Sequence, residues 1–510
     1  MAHRRTSHLS GGVMINRQDS SAYIYIDRSA DEPTVYFSEA HRHDPLTTSV
    51  LAGILRQTPQ ARFEPVQLDE LRQLQSEQQS GQVTSEISRS EQQSRVIRYF
   101  RQAVTLGASD IHLLIGYQEV TLVQLRIHGQ LRTIAQLERE EGMQLAATIV
   151  LSMCDVTEKS FNANRAQDGR LRSEFVRQLG IFGARYAHTP AEFGLYVVMR
   201  VLPDDSSSLP TPDQLGFLPV QQQQITRMLT RPEGIIIISG PTGSGKSTSL
   251  RCFSRCYLEQ TLHTKRLFTI EDPPEGMIPG AVQTPVIADR TDPEALSQAW
   301  SRGISSALRL DPDAMIIGEI RDTNSVRAAL SAAKSGHLVQ TTLHANDAIG
   351  ILDRLTDTLQ IPLPEIADAQ LVIGLIAQRL VPVLCPSCKL SWQQKLPSLS
   401  AEQREFLTRH CDAEKLCFRH SSGCSACFHG TVGRKMIAEV IRPDARFMEL
   451  YRHEGKIAAR RYWLDTLNGI TRTAHLKDYL HQGVADPLDA DLISPLDEDD
   501  LMQPSLRSQA

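Results

Sequence analysis

The apolar positions along the chain fall into stretches of different period. Ile235 to Ile238 form an unbroken apolar run that Gly240 cuts off, and a helix-compatible stretch follows from Lys246. That order predicts a buried strand, a loop and a helix. Upstream, "RVIRYFRQAVTLG" from Arg95 has apolar residues at helical spacing and then a glycine stop. "IHLLI", "TLVQLRIHGQL" and "FGLYVVMRVL" read as strands around a helix near 141–154, which together predict a small α+β domain over 95–203. In residues 1–66, "SAYIYIDR" and "PTVYFSE" are short β-like runs, and "TSVLAGILRQ" is helical in pattern. The most apolar later stretch, Ile366–Leu384, carries Asp368, Gln370, Gln378 and Arg379. It is too interrupted for a membrane span and reads as a buried helix.

Segments poor in large apolar groups mark the boundaries. Residues 67–94 are rich in Gln, Ser and Glu and read as a linker, and the Pro/Ser/Asp stretch over 204–214 reads as another. An α/β core is expected over 215–384, a cysteine-bearing insert over 385–430 and a helical region over 431–485. The acidic, proline-interrupted residues 486–510 read as a disordered tail. The 59 acidic and 54 basic side chains leave a formal charge of −5, which argues against a general nucleic-acid binder. The start of the chain has no signal-peptide core, which predicts a cytoplasmic protein. Its nine cysteines then point to metal or structural roles before disulfides.

"GPTGSGKST" (Gly240, Pro241, Thr242, Gly243, Ser244, Gly245, Lys246, Ser247, Thr248) satisfies G-x-x-x-x-G-K-[ST]. Glycines let the backbone curl so that its N–H groups and the helix N-terminus face phosphates. Lys246 can reach the β- and γ-phosphates and the Ser247 hydroxyl can bind Mg²⁺. A glycine-rich structural turn is the bland alternative. In "DAMIIGEIRD", Gly318 stands where an Asp is common, and the acid is Glu319. It could polarise a water or hold the magnesium shell, or simply pair with Arg321. "TIEDPPE" puts Glu271, Asp272 and Glu275 at a strand's C-terminal edge, where ligands sit in α/β sheets; a solvated acid cluster is the other reading. "GHLVQTTLHAND" places His337 and His344 on either side of another strand, as γ-phosphate sensors or as structural hydrogen-bonders.

Taken in order, these four boxes resemble the hexameric ATPases of type II secretion and type IV pilus assembly. "GASDIHL" at 107–113 is similar to the hallmark of that family's smaller domain, and the resemblance covers roughly residues 95–445. It implies a RecA-like P-loop core preceded by a smaller, PAS-like α+β domain. It implies ATP and Mg²⁺ at Lys246 and Ser247, Glu319 as the Walker B acid, and Glu271 and Glu275 around metal and water. His337 and His344 would act from the histidine box. Arg185 and Arg200, on two strands of the smaller domain, fall where the family has arginines that close on the γ-phosphate; surface strand arginines are the alternative. The implied partners are a homo-hexamer, an inner-membrane platform protein and a membrane-bound docking partner for the N-terminal region. Membrane association would be peripheral, with no direct insertion. His112-Leu113-Leu114-Ile115 and His128 depart from the family pattern and suggest a divergent branch, of a type IVb or conjugative-plasmid thin-pilus kind.

"CPSC" (Cys385, Cys388) and "CSAC" (Cys424, Cys427) are two C-x-x-C knuckles able to close a tetrahedral, structural Zn²⁺ site. Cys252 and Cys256 read as core packing. The four-cysteine insert is typical of the family's export and assembly motors and is lacking in its retraction motors, whereas "GASDIHL" leans slightly towards retraction. The expectation is therefore an assembly motor. A retraction ATPase and a DNA-transfer translocase are the rivals, the latter disfavoured by acidity and 5% aromatic residues. A scaffold that binds nucleotide without hydrolysis is a further one.

Overall fold

A computed structural model describes residues 23–27, 33–42, 45–58, 60–68, 70–71, 91–155, 160–204, 208–288 and 292–502. Most of the expected 67–94 linker and residues 503–510 lie outside these. The chain divides into two compact units, Met1–Val96 and Ile97–Ala510.

In the first unit, β1 (Ile24–Asp27) runs antiparallel to β2 (Thr34–Ser38), and β2 runs parallel to β3 (Arg62–Val66). A parallel pair needs a crossover, and the helix Pro45–Gln57 supplies it. Val50, Leu51 and Ile54 of that helix pack on Ile24, Val35 and Phe37.

The second unit holds two seven-stranded sheets. The first contains β4 (Ala108–Tyr117), β5 (Val120–Ile127), β6 (Gln130–Glu138), β7 (Cys154–Asp155), β8 (Gln167–Leu171), β9 (Ile181–Ala191) and β10 (Gly194–Pro203). Its order is β6-β5-β4-β10-β9-β8-β7, and all neighbours are antiparallel. Strict alternation in β5 buries Thr121, Val123, Leu125 and Ile127 and turns Arg126 to the other face. The register then lines up one row across four strands: Arg126 opposite Asp110, Asp110 opposite Arg200, and Arg200 opposite Arg185.

The second sheet is built from β11 (Gly234–Ser239), β12 (Leu267–Glu271), β13 (Ala281–Pro285), β14 (Ala314–Ile317), β15 (Leu338–Leu343) and β16 (Val372–Leu384). After a short ribbon of β17 (Leu390–Ser391) and β18 (Cys417–Phe418) comes the last strand, β19 (Thr431–Ile441). The order is β13-β12-β14-β15-β11-β16-β19, parallel except for β19. Every residue of β11, β14 and β15 is buried, as expected of parallel strands covered on both faces. Ile235 and Ile237 face one core with Trp300, Leu330 and Phe447, while Ile236 and Ile238 face the other with Phe253, Cys252 and Met228. Among the described residues no helix is long and apolar enough to cross a membrane.

Three expectations are corrected. The expected helical region over 431–485 opens with strand β19, Thr431–Ile441, which extends the core sheet beyond residue 384; its buried run Met436–Ile441, apolar but for Glu439, carries no phase that separates strand from helix. The apolar stretch ending at Leu384 is not a helix: Val372–Leu384 is strand β16, between β11 and β19. Its first part, Val372–Ala377, is an unbroken apolar run that is buried throughout, so periodicity cannot separate it from a buried helix. The acidic segment from 486 is not disordered through its described part. Pro487–Asp491 and Glu498–Met502 are helical, and Ala490 and Leu496 are buried in a core with Trp392, Phe418, Leu476 and Leu480. Its acids are counter-ions. Glu498 pairs with Arg472 at 2.9 Å and Asp499 with Arg460 at 3.0 Å, and both arginines are buried. Removing both carboxylates (Glu498→Ala with Asp499→Ala) leaves two buried cations short of partners, at a cost of about 3 kcal/mol or more. Urea unfolding measures this; an unchanged midpoint would mean the arginines do not depend on the segment.

Candidate nucleotide site and four-cysteine cluster

The loop 240–245 leaves the C-terminal end of β11 and opens the fifteen-residue helix Lys246–Gln260. Gly240 has φ +151°, and a Cβ there would stand 2.4 Å from the Gln378 carbonyl and 2.5 Å from Ser244 Oγ. Gly245 enters the helix at φ +85°. Only glycine meets both demands, and the result is a run of N–H groups and a helix dipole aimed into one cleft. The Ser244 hydroxyl is buried with no hydrogen-bond partner among the described residues. The loop is tied to the sheet by Gln378 on β16: its Nε2 donates to Ser244 O at 2.8 Å, and its Oε1 accepts from Ser249 Oγ at 2.9 Å. Lys246 Nζ donates to the carbonyls of Gly240 (2.7 Å) and Pro241 (3.2 Å). Burial pulls its ammonium below the ordinary lysine value, opposed by the charges of Glu319 and Glu275.

The cleft has a volume of about 940 Å³ and receives the C-terminal ends of β12, β14 and β15. Glu319 lies just past β14, where Thr342 Oγ1 donates to Gly318 O at 2.7 Å and fixes the strand end. One carboxylate oxygen of Glu319 accepts from Arg321 Nε and Nη2 at 2.9 and 2.7 Å, and the other is 3.1 Å from His344 Nε2. Glu319 is thus paired with Arg321 and lines the same cleft as Lys246. Glu271 accepts from Thr269 Oγ1 at 2.6 Å and from Gln283 Nε2 at 3.1 Å. Glu275 pairs with Arg185 at 3.3 Å, and the same guanidinium donates to Pro273 O at 3.1 Å.

The face of the antiparallel sheet that carries Arg126, Arg200 and Arg185 closes the other side of this cleft. Arg200 Nε donates to Asp110 Oδ1 at 3.0 Å, Arg126 approaches Asp110 Oδ2 to 3.9 Å, and Ser109 Oγ donates to that oxygen at 2.8 Å. Asp110 is buried and holds two members of the positive row, Arg126 and Arg200, while Arg185 pairs with Glu275. Lys246, Ser247, Thr248, Glu319, Glu271, Glu275, Arg185, Arg200 and His344 therefore meet in one place, with Thr242, Gly243, Ser244 and Gly245.

His337 does not join them. It precedes β15 at the opposite edge of the sheet, where its Nδ1 lies 3.1 Å from both Ser335 Oγ and Ala332 O. Six strand residues at about 3.3 Å each put it roughly 20 Å from His344. A parallel strand delivers only its C-terminal end to the ligand edge, so the expectation of two sensor histidines narrows to His344. Sequence reading also passed over Gln378, Arg126 and Arg434, all of which lie in or against the cleft. Alternation in β5 puts Arg126 on its polar face, but only register brings it to Asp110.

The four cysteines meet between β16 and β19. All four Sγ atoms lie within 4.8 Å of one another, with Cys385–Cys424 at 3.8 Å and both Cys388–Cys427 and Cys424–Cys427 at 3.7 Å. Sulfurs 2.3 Å from one zinc at tetrahedral corners stand about 3.8 Å apart, so this cluster fits such an ion; a disulfide needs about 2.05 Å. Cys427 Sγ also accepts from the Cys424 N–H at 3.1 Å. Cys252 is buried in the core, as expected, and Cys256 packs beside it.

Residues 89–485 match the family described as Type II/IV secretion system protein. The type II secretion system ATPase E of Vibrio cholerae serotype O1 is 33% identical over 355 residues, 69% of this chain and 65% of that protein. The type II secretion system protein E of Dickeya dadantii is 33% identical over 346 residues, 67% of this chain and 64% of that one. The matched stretch therefore spans just under two thirds of these relatives' length. The type IV pilus assembly ATPase PilB of Acinetobacter baylyi is 32% identical over 365 residues, 71% of this chain and 59% of its own. Among solved structures, the pilus retraction motor PilT with bound ADP superposes with a TM-score of 0.52 at 24% identity, covering 79% of this chain and 98% of that one. The ATPase DotB of Legionella pneumophila gives 0.52 at 22% identity, over 76% of this chain and 92% of its own. These two likenesses establish a shared fold. The match over residues 89–485 spans both sheets, the phosphate loop and the cysteine cluster, and by it the chain belongs to the type II/IV secretion system protein family.

Proposed function

We propose that this protein binds ATP with Mg²⁺ and hydrolyses it, as a subunit of a hexameric ring that drives assembly of a type IV pilus or a type II secretion pseudopilus. The observation that carries the reading is the convergence of Lys246, Glu319, Arg185 and Arg200 on one cleft from two different sheets. A P-loop alone binds phosphate; an acid at the end of a nearby strand of the same sheet and arginine forks from a second sheet add what turnover requires. Lys246 and the loop amides would hold the phosphates, Ser247 the magnesium, and Glu319 the attacking water, with Glu271, Glu275 and His344 around them. Arg185 and Arg200 would exchange their carboxylates for phosphate oxygens, so that binding and hydrolysis change how tightly the two sheets close on each other. Such closure, passed around a ring at the cytoplasmic face, is the motion that would act on an inner-membrane platform protein. Residues 1–66 would reach a membrane-bound docking partner.

Cys385, Cys388, Cys424 and Cys427 would hold Zn²⁺. With all four positions taken by sulfur the ion's contribution is structural, closing residues 385–430 at the ends of β16 and β19. The cluster also favours an assembly motor over a retraction motor. The test is ATP turnover across size-exclusion fractions of the purified full-length protein, with zinc quantified in each. The expected result is turnover concentrated in a hexamer-sized peak carrying about one zinc per chain, one ion being what four thiolates hold. Active protein free of zinc would overturn the assembly reading, and a zinc-bearing hexamer without turnover would overturn hydrolysis.

A further inference from the structure

Arg251 lies five residues beyond Lys246 on the phosphate-loop helix, buried, with its guanidinium beneath the loop that joins β12 to β13. Its Nη2 donates to Met277 O at 3.2 Å. A Cβ on Gly276 would stand 2.3 Å from Arg251 Cζ, 2.5 Å from Nη1 and 2.7 Å from Nε. Gly276 has no positive φ, so backbone conformation does not require a glycine there. The arginine does: the guanidinium occupies the space of a side chain at 276.

Gln283, Arg185 and Arg251 each hold this loop. Gln283 of β13 donates to Gly276 O at 2.9 Å and to Glu271 at 3.1 Å, and accepts from the Ile278 N–H at 2.8 Å. Arg185 holds Pro273 and Glu275 from the antiparallel sheet. Arg251 holds Met277 from the phosphate-loop helix itself. Arg185 and Arg251 both line the cleft, but Arg185 is the hold that nucleotide would compete for, because its partner carboxylate is partly exposed while Arg251 is buried on a backbone carbonyl. Arg251 is tied down from below.

We infer that Arg251 is a positioning residue, which docks the acidic loop 271–277 onto the phosphate-loop helix and keeps Glu275 in register with Lys246 while Arg185 changes partners. Gly276 is its receptor. This rests on the hydrolysis reading above for its functional consequence, though not for its geometry.

The test is a double-mutant cycle in the full-length protein. Arg251→Ala frees the loop, and Gly276→Ala drives the guanidinium out of its seat; each should lower kcat roughly 10- to 100-fold, the scale of a small misplacement of catalytic groups. The affinity for a fluorescent ATP analogue, set by the loop 240–246, should stay within about twofold of wild type. Because the two residues act through one contact, the pair Arg251→Ala with Gly276→Ala should be no worse than Arg251→Ala alone. Arg251→Lys, which keeps a donor for Met277 O, should recover part of the rate. Hydrogen exchange over 272–280 should rise in both single variants and not rise further in the double. Multiplicative losses, or Arg251→Ala turning over like wild type, would overturn the inference. If the wild type binds ATP without turnover, the hydrolysis reading fails, and the exchange data alone then support or overturn the docking of this loop by Arg251.

Discussion

On the proposed hydrolysis, replacing Glu319 by Gln is expected to lower ATP turnover by roughly 10²- to 10⁴-fold, the range for loss of a positioned acid–base group, and to leave nucleotide binding in place. The substitution is nearly isosteric, so strand β14 and the Thr342 hydrogen bond to Gly318 O persist. What changes is charge and one acceptor. Glu319 accepts from Arg321 through one oxygen and faces His344 with the other, so an amide presents an NH₂ group to one of them. Lys246 also loses one of the two negative charges that support its ammonium. Phosphate release and the affinity for a fluorescent ATP analogue measure the two halves separately. Turnover within twofold of wild type would return Glu319 to the role of an ion-pair partner for Arg321.

Arg200→Ala costs about 10³-fold in turnover or more, the size expected for an arginine that meets developing phosphoryl charge. Its cost in stability should be small. The Arg200 side chain is 47% exposed, so its own charge is solvated, and the buried Asp110 carboxylate has other partners. Asp110 would keep the Ser109 hydroxyl at 2.8 Å and Arg126 nearby. Arg200→Lys should fail to rescue, because a point charge lacks the planar fork that spans two phosphate oxygens. Steady-state turnover with a thermal midpoint for each variant separates catalysis from folding. An Arg200→Ala protein as active as wild type would leave the Arg126–Asp110–Arg200–Arg185 row as a contact surface between the sheets. A large drop in midpoint would show that Asp110 depends on Arg200 more than its other partners allow.

These two residues differ in how far the sequence discloses them. Glu319 follows its strand directly, so the apolar run Ala314–Ile317 points to it. Arg200 is one polar residue on an alternating strand, and only the register of β4, β10 and β9 sets it between Asp110 and Arg185. His337 shows the opposite failure. It shares a sequence box with His344, yet β15 separates them end to end, because a strand is an extended spacer and residues seven apart on it cannot share a site. The C-terminal acids were misread for a related reason. Composition counts Glu498 and Asp499 as solvated charge, and nothing local reveals that Arg460 and Arg472 are buried beside them.

The sequence by itself determined the phosphate loop and the cysteine cluster. In each, the chemistry depends on backbone conformation or ligand spacing within a few residues: glycines at positive φ before a helix, and two thiolates three positions apart. Tertiary structure alone decided which strand ends share the cleft, that Gln378 and Arg251 brace the loops around it, and that one buried carboxylate, Asp110, holds both Arg126 and Arg200 facing it. Those contacts join residues tens to hundreds of positions apart. They follow from strand order and register, which burial of the two sheets' faces selects and no short stretch of sequence encodes.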